Sequence, residues 1–412
     1  MKKKNVLIFD PQDRRSTPSA YFLSNDYDVH FLVPIRKVTS LEYIIRIILK
    51  FCKPRGTKSY NFISFRKESE LLKKLTTVIE TGKYDSVLAF SERSTALLIK
   101  IKDKIKNNTL IPFGTMEQFD ALNDKFEIAE VCKKLDVPTP KYFKVAIEED
   151  LSLADDFQFP VVLKCTKASG INESLRICND KSSLIQGYKD LKKGKGTYSF
   201  FPRDIMMVQE FIQGRIYDGN FVAHNGEVIG GMTQVRIWTI PPSGGTGAYN
   251  ETVHVPELFE YAKKVLQEIR WTGPVNMEYI KDETTGQYKL IEVNPRFWGT
   301  LGLSFKAGYN FPKTLLDQET DNPLGSEQRI NQNVSFKWLL QDTLVAEVFQ
   351  GKRPVNVLAD HVKQIFSSEN ENFKYSFRAS LLLAIPYIVK SFIVNKKDSA
   401  GAKKSFADRL LA

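Results

Sequence analysis

Two strand-like runs, VNMEYI (275–280) and QYKLIEVN (287–294), are separated by little more than KDETTG, a polar link containing glycine. So short a connection allows only an antiparallel hairpin, and this constrains the chain more than any other feature. Facing residues of a hairpin have a constant index sum. With the turn centred on Thr285, Glu278 stands opposite Glu292, and Asn294 follows one step along the same face. Ile291 and Val293 then pack on the other side. The alternation in LIEVNPRFWGTL (290–301) extends this to Arg296, so a carboxylate, an amide and a guanidinium converge on one small volume. A polar, solvent-facing edge strand is the plain alternative.

Two carboxylates directly opposite each other repel. A divalent cation removes that cost. Mg²⁺ in particular takes oxygen ligands and shares its shell with phosphates. A guanidinium beside it suits a transferring phosphoryl group. Two lysines upstream are placed to add charge. Lys164 ends the apolar strand PVVLK, just before a loop containing Gly170. Lys125 follows Asn123 and Asp124 in a helix predicted over Met116–Leu135, with Phe119, Leu122, Phe126, Ala129 and Cys132 on its apolar face. A solvated surface lysine is the plain reading of Lys125.

Upstream of the hairpin the chain alternates strands and amphipathic helices, as a parallel α/β layer does, up to about residue 115. NVLIF, DVHFLV and YDSVLAF read as strands; LEYIIRIILKFCK and ESELLKKLTTVIE read as helices. DPQDRRSTPS follows the first strand where a dinucleotide site needs GxGxxG, so a nicotinamide site is not expected. Arg14 and Arg15 in that run suit an acidic substrate or are simply solvated loop charges. Arg236, in MTQVRIWT, precedes the glycine-rich IPPSGGTG, which reads as an anion-binding lid or as a flexible connection.

Taken in order, LNDKFEIAEVCKKLDVPTP, FPVVLKCTKASG, MVQEFIQG, GPVNMEYI and LIEVNPRFWGTLGLSFKAGYNFP resemble the ATP-grasp superfamily over roughly residues 80 to 315. The resemblance is to its carboxylate–amine (or thiol) ligase branch, similar to the ATP-binding domain of carbamoyl phosphate synthase. It implies two α+β subdomains gripping ATP behind an open parallel α/β amino-terminal domain. The expected segments are 1–115 for that first domain, 116–204 and 205–325 for the two grasp subdomains, and 326–412 for a basic, partly apolar extension. Carried onto this chain, Lys125 and Lys164 would contact the nucleotide phosphates. Glu210, with the backbone at Phe211 and Ile212, would form the hinge against adenine and ribose, and Asp218 is the candidate ribose contact. Glu278, Glu292 and Asn294 would hold Mg²⁺, with Mn²⁺ as the alternative ion. Arg296 and Arg236 would act on the reacting groups. TKASG is leaner in glycine than many phosphate-covering loops of the family.

The implied activity is ATP-dependent joining of a small-molecule carboxylate to an amine through an acyl phosphate. A nucleotide-binding scaffold and a kinase-like phosphoryl transfer are the competing readings. The net charge of +11 sits at the ends: +7 in residues 1–60, +6 in 351–412 and −2 between them. A nucleic-acid groove would run through the body, so none is expected. Four scattered cysteines and four scattered histidines argue for a reducing, cytoplasmic setting and against a zinc centre. The longest charge-free apolar run near the C-terminus, ASLLLAIPYIV, is too short to span a bilayer. With the basic ends it does suit peripheral contact at the inner membrane face.

Overall fold

The computed structural model describes residues 2–10, 15–36, 55–167, 174–193, 205–240, 246–319 and 330–337. The helix expected at 41–53, most of the TKASG and glycine-rich loops, and the apolar stretch at 376–397 lie outside them. Contacts divide the chain into two compact units, and the division is not a single cut. The first comprises Met1–Phe113, Arg236–Val253 and Arg296–Ala412; the second comprises Gly114–Val235 and His254–Pro295.

In the first unit β1 (Lys4–Phe9), β2 (Tyr27–Arg36), β3 (Thr57–Phe65) and β4 (Ser86–Ala89) form a parallel sheet in the order β3-β2-β1-β4. Val6, Leu7, Ile8 and Phe9 are all inaccessible to solvent. That continuous apolar run is what a parallel strand covered on both faces requires. Helices α1 (Ser16–Leu23), α2 (Glu68–Thr81) and α3 (Glu92–Lys102) alternate with these strands. Leu71, Leu75 and Ile79 form the buried stripe of α2.

The second unit begins differently from the helix pattern expected of it. The helix expected over Met116–Leu135 is two helices, α4 (Met116–Asn123) and α5 (Lys125–Lys134), interrupted at Asp124. Asp124 is extended, and its carboxylate accepts from the backbone N–H groups of Phe126 and Glu127. An aspartate that can cap a new helix competes with continuing the old one. The break resets the helical phase, so Ile128 is buried while Phe126 is only half-buried.

Next come β5 (Tyr142–Val145), β6 (Val161–Cys165), β7 (Leu175–Cys178), α6 (Lys181–Lys193) and β8 (Met206–Glu210). The four strands form an antiparallel sheet in the order β5-β8-β6-β7. Its core is Val145, Leu151, Val161, Leu163, Leu184, Tyr188, Leu191 and Val208 with their neighbours. A second antiparallel layer contains β9 (Gly214–His224), β10 (Glu227–Ile240), β12 (Gly273–Asp282) and β13 (Tyr288–Asn294), paired in the order β13-β12-β9-β10. The β9–β10 turn is Asn225–Gly226, both at positive φ, the geometry that tight hairpins demand. Helix α7 (Pro256–Ile269) buries Leu258, Ala262, Val265 and Leu266. β10 ends in the first unit, which also holds β11 (Thr246–Val253), α8 (Leu301–Lys306), α9 (Phe311–Glu319) and β14 (Ser335–Lys337). No described helix is long and apolar enough to cross a membrane.

Candidate functional site

Glu278 pairs with Glu292 and Asn276 with Asn294, yet the register changes to Tyr279 opposite Leu290. The hairpin therefore closes one index lower than a turn centred on Thr285 requires. A bulge at Ile291 restores the facing of the two glutamates. The bulge also has a use: the Ile291 carbonyl accepts from the Lys164 ammonium at 2.9 Å. The ladder then ends at Asn294, because Pro295 has no N–H to continue it. Arg296 lies beyond the strand, so the alternation that was expected to carry it onto the face of Glu292 and Asn294 stops short of it.

Directly opposed residues of an antiparallel sheet share a face. Pairing across β13, β12, β9 and β10 sets two transverse rows on one face. One is Glu292, Glu278, Asp218 and Gln234; the other is Asn294, Asn276, Asn220 and Met232. The opposite face carries the buried Val293, Met277, Val275 and Phe221. Within the rows, Asn294 Nδ2 donates to Glu278 Oε1 at 3.3 Å and to Asn276 Oδ1 at 3.4 Å. Asn276 Nδ2 donates to Asn220 Oδ1 at 2.9 Å, and Gln234 Nε2 to Asp218 Oδ2 at 2.8 Å.

Two cations meet this face within the same unit. The Lys125 ammonium lies 3.6 Å from Glu292 Oε1, and the Lys125 side chain is only 7% exposed. Its position follows from the helix break: Lys125 begins α5, and its backbone N–H donates to Thr166 O at 2.9 Å, two residues past Lys164. Lys164 is buried and donates to Gln209 Oε1 at 2.8 Å as well as to Ile291 O. Burial first, then the neighbouring Lys125 charge, pulls Lys164 down to about 7; Glu292 and Glu278 oppose that fall. The Lys125 ammonium, joined by Lys164 where that is protonated, thus offsets part of the charge of the opposed carboxylates in the protein by itself, a role the sequence reading gave to a metal alone.

The structure brings Lys125, Lys164, Glu278, Glu292 and Asn294 together. Asp218 lies at the buried centre of the acidic row, opposite Glu278. Glu210 ends β8; its Oε2 accepts from Lys141 N at 3.0 Å, and Lys289 lies 3.7 Å from its Oε1 and 3.0 Å from Asp282. Phe211 is exposed and Ile212 nearly buried. Arg236 is buried on β10, and with Arg296 it belongs to the first unit. Sequence reasoning missed Asn276, Asn220, Gln209 and Gln234. Asn276 and Asn220 do stand two residues from Glu278 and Asp218, a period-two signal that was available.

Among the described residues no group of three or more His, Cys, Asp or Glu side chains is arranged to hold a metal. The donor set here is two carboxylates and one carboxamide, all oxygen, which suits a hard cation whose shell is completed by phosphate oxygens. Asn220 Nδ2, buried in the adjoining row, has no hydrogen-bond partner, so the face retains an unused polar atom.

Residues 203–341 match the family model described as ATP-grasp in the biosynthetic pathway with Ter operon. The chain is 27% identical over 229 residues to D-aspartate ligase of Enterococcus faecium, covering 51% of this chain and 52% of that one. It is 23% identical over 227 residues to the carbamoyl phosphate synthase large chain of Clostridium beijerinckii, covering 53% and 20%. The match thus spans about half the length of the first relative and a fifth of the second. In structure it resembles Campylobacter jejuni biotin carboxylase, with TM-score 0.64 and 16% identity over 81% of this chain and 74% of that one. It also resembles Staphylococcus aureus N5-carboxyaminoimidazole synthetase complexed with ADP, with TM-score 0.60 and 15% identity over 88% and 87%.

Proposed function

We propose, from the ATP-grasp fold that this chain carries, that it is an ATP-dependent ligase joining a small-molecule carboxylate to an amine. The observation that carries the reading is the meeting of Lys125 and Lys164 with the row of Glu292 and Glu278. Ammonium groups and opposed carboxylates on one face fit a polyphosphate and its counter-ion together. The similarity to D-aspartate ligase supports a carboxylate–amine reaction.

In this reading Lys125 and Lys164 bind phosphate oxygens of ATP. Glu210 and the backbone of Phe211 and Ile212 face the nucleoside. Glu278, Glu292 and Asn294 would hold Mg²⁺ or Mn²⁺, which when bound supplies charge neutralisation at the phosphates. The Asn294 amide is oriented by its N–H₂, which donates to Glu278 and Asn276. A carboxylate oxygen attacks the γ-phosphorus, and the bond from that phosphorus to the β–γ bridging oxygen breaks, releasing ADP. The amine then attacks the acyl carbon; phosphate departs and the amine nitrogen loses a proton. Arg296 and Arg236 balance charge on the transferring group. No side-chain nucleophile is required, so positioning and electrostatics carry the rate.

ADP release that needs Mg²⁺, a carboxylate and an amine together tests the reading. Glu292→Gln is expected to lower it more than about 100-fold. Turnover at the wild-type rate in that variant overturns the assignment. A scaffold would bind ATP without releasing ADP, and a kinase-like protein would release it with a hydroxyl acceptor and no amine.

A further inference from the structure

We infer that Arg15 and Arg296 form a clamp for a substrate with two negative charges close together, a short dicarboxylate such as an acidic amino acid. The inference rests on the ligase reading above and names the substrate class.

Arg15 lies in the run DPQDRRSTPS, where a solvated loop charge is the plain expectation, yet it is only 9% exposed. Its Nη1 donates to the carbonyl oxygen of Phe297 at 2.6 Å. Arg296 Nη1 donates to the same oxygen at 3.1 Å. The two nitrogens are therefore no more than about 6 Å apart. The oxygen they share is held in place, since the Phe297 side chain is fully buried and stacks on Phe90 with centroids 4.9 Å apart. The backbone of Arg15 is fixed too: its carbonyl accepts from Ser19 Oγ at 2.7 Å in the first turn of α1.

Each guanidinium is a planar fork of five N–H donors, matched to carboxylate and phosphoryl geometry. Two such forks converging over one carbonyl suit a dianion better than a monoanion. Arg296 is two residues from Asn294, so their Cα atoms are within about 7 Å through the chain alone. One carboxylate of the ligand is taken by Arg296, and the second is held by Arg15. That second group is remote from the reacting bond, so its binding energy positions the first.

The test measures ADP release with MgATP and hydroxylamine for acetate, glycine, malonate, succinate, aspartate and glutamate. Short dicarboxylates are expected to have the highest kcat/KM. In Arg15→Met their KM should rise about 10- to 100-fold with the KM for ATP within about twofold, and Arg15→Lys should recover part of the loss. The same MgATP-induced thermal shift in both variants controls for folding. Equal use of mono- and dicarboxylates, or an unchanged preference in Arg15→Met, overturns the clamp. Should the wild type release no ADP with any acid, the ligase reading fails, and calorimetric titration of malonate decides the clamp separately. Binding weakened at least tenfold in Arg15→Met then supports it, and absence of binding to the wild type overturns it.

Discussion

Lys164 offers a quantitative test of how the candidate site is built. Its ammonium is buried between Gln209 and the bulged Ile291 carbonyl, and burial together with Lys125 brings its titration from 10.5 to about 7. Between those two values the unfolded chain holds a proton that the folded protein has released, so raising the pH favours the folded state. The limiting slope is about 1.4 kcal/mol per pH unit, and because titration is only half complete at pH 7, the gain from pH 7 to pH 9 is about 2 kcal/mol. Below pH 7 both states hold the proton and the slope vanishes. Lys164→Met keeps the length of the side chain and removes the titration. Ionisable groups remote from Lys164 contribute equally to both proteins, and the neighbouring Glu278 and Glu292 stay ionised throughout this range, so the difference between the proteins chiefly reads this group. For a unit of this size the wild type should gain about 5 °C relative to the variant over those two pH units. Differential scanning fluorimetry without nucleotide, from pH 6 to pH 9, reads this directly. The lost hydrogen bonds to Gln209 and Ile291 add only a pH-independent offset. A wild-type-minus-variant difference that stays flat from pH 7 to pH 9, or falls, refutes the argument that burial governs this lysine.

Asp124→Ala removes the cap that starts α5 beside Lys125. We expect a loss of about 1 kcal/mol in denaturant unfolding and a raised KM for ATP, whereas an unchanged KM would separate the helix break from phosphate binding. Lys289 holds the Asp282 carboxyl down to about 2. This stabilisation is complete above the usual carboxylate range and is lost as the pH falls through about 2, so Lys289→Met should lower stability in full at pH 7, and its difference from the wild type in denaturant unfolding should shrink toward zero as the pH approaches 2. Asn276→Leu keeps the volume of the row but removes the acceptor that turns the Asn294 amide. Mn²⁺ affinity, read by paramagnetic relaxation of water in the presence of ADP, should fall about tenfold, and retained affinity would mean that Asn294 orients itself.

Much of the architecture was legible in local pattern. The apolar run NVLIF marked a strand, and the short polar link KDETTG demanded an antiparallel hairpin. The acids Glu278 and Glu292 could be paired by counting, since a hairpin leaves little freedom of register. Their facing was nevertheless reached by a route the counting did not contain. The turn closes one index lower, and an extra residue at Ile291 compensates. A bulge has no unambiguous sequence signature, because what stabilises it is a distant partner, here the Lys164 ammonium. The break at Asp124 was hidden for a related reason: helix periodicity on either side was strong, and only docking of Lys125 against Thr166 selects the capped alternative.

The sequence by itself determined which residues alternate, where strands and helices form, and that acids, amides and lysines are available in this order, because these follow from nearest-neighbour geometry along the chain. Tertiary structure alone decided that Gln234, Asp218, Asn220 and Asn276 extend the acidic hairpin into a polar face across four strands, and that Arg15 is buried beside the carbonyl that also receives Arg296. Residues 15 and 297 are separated by most of the protein, and no local rule encodes a hydrogen bond between them; it exists because a buried guanidinium must find an acceptor, and the folded chain presents that one.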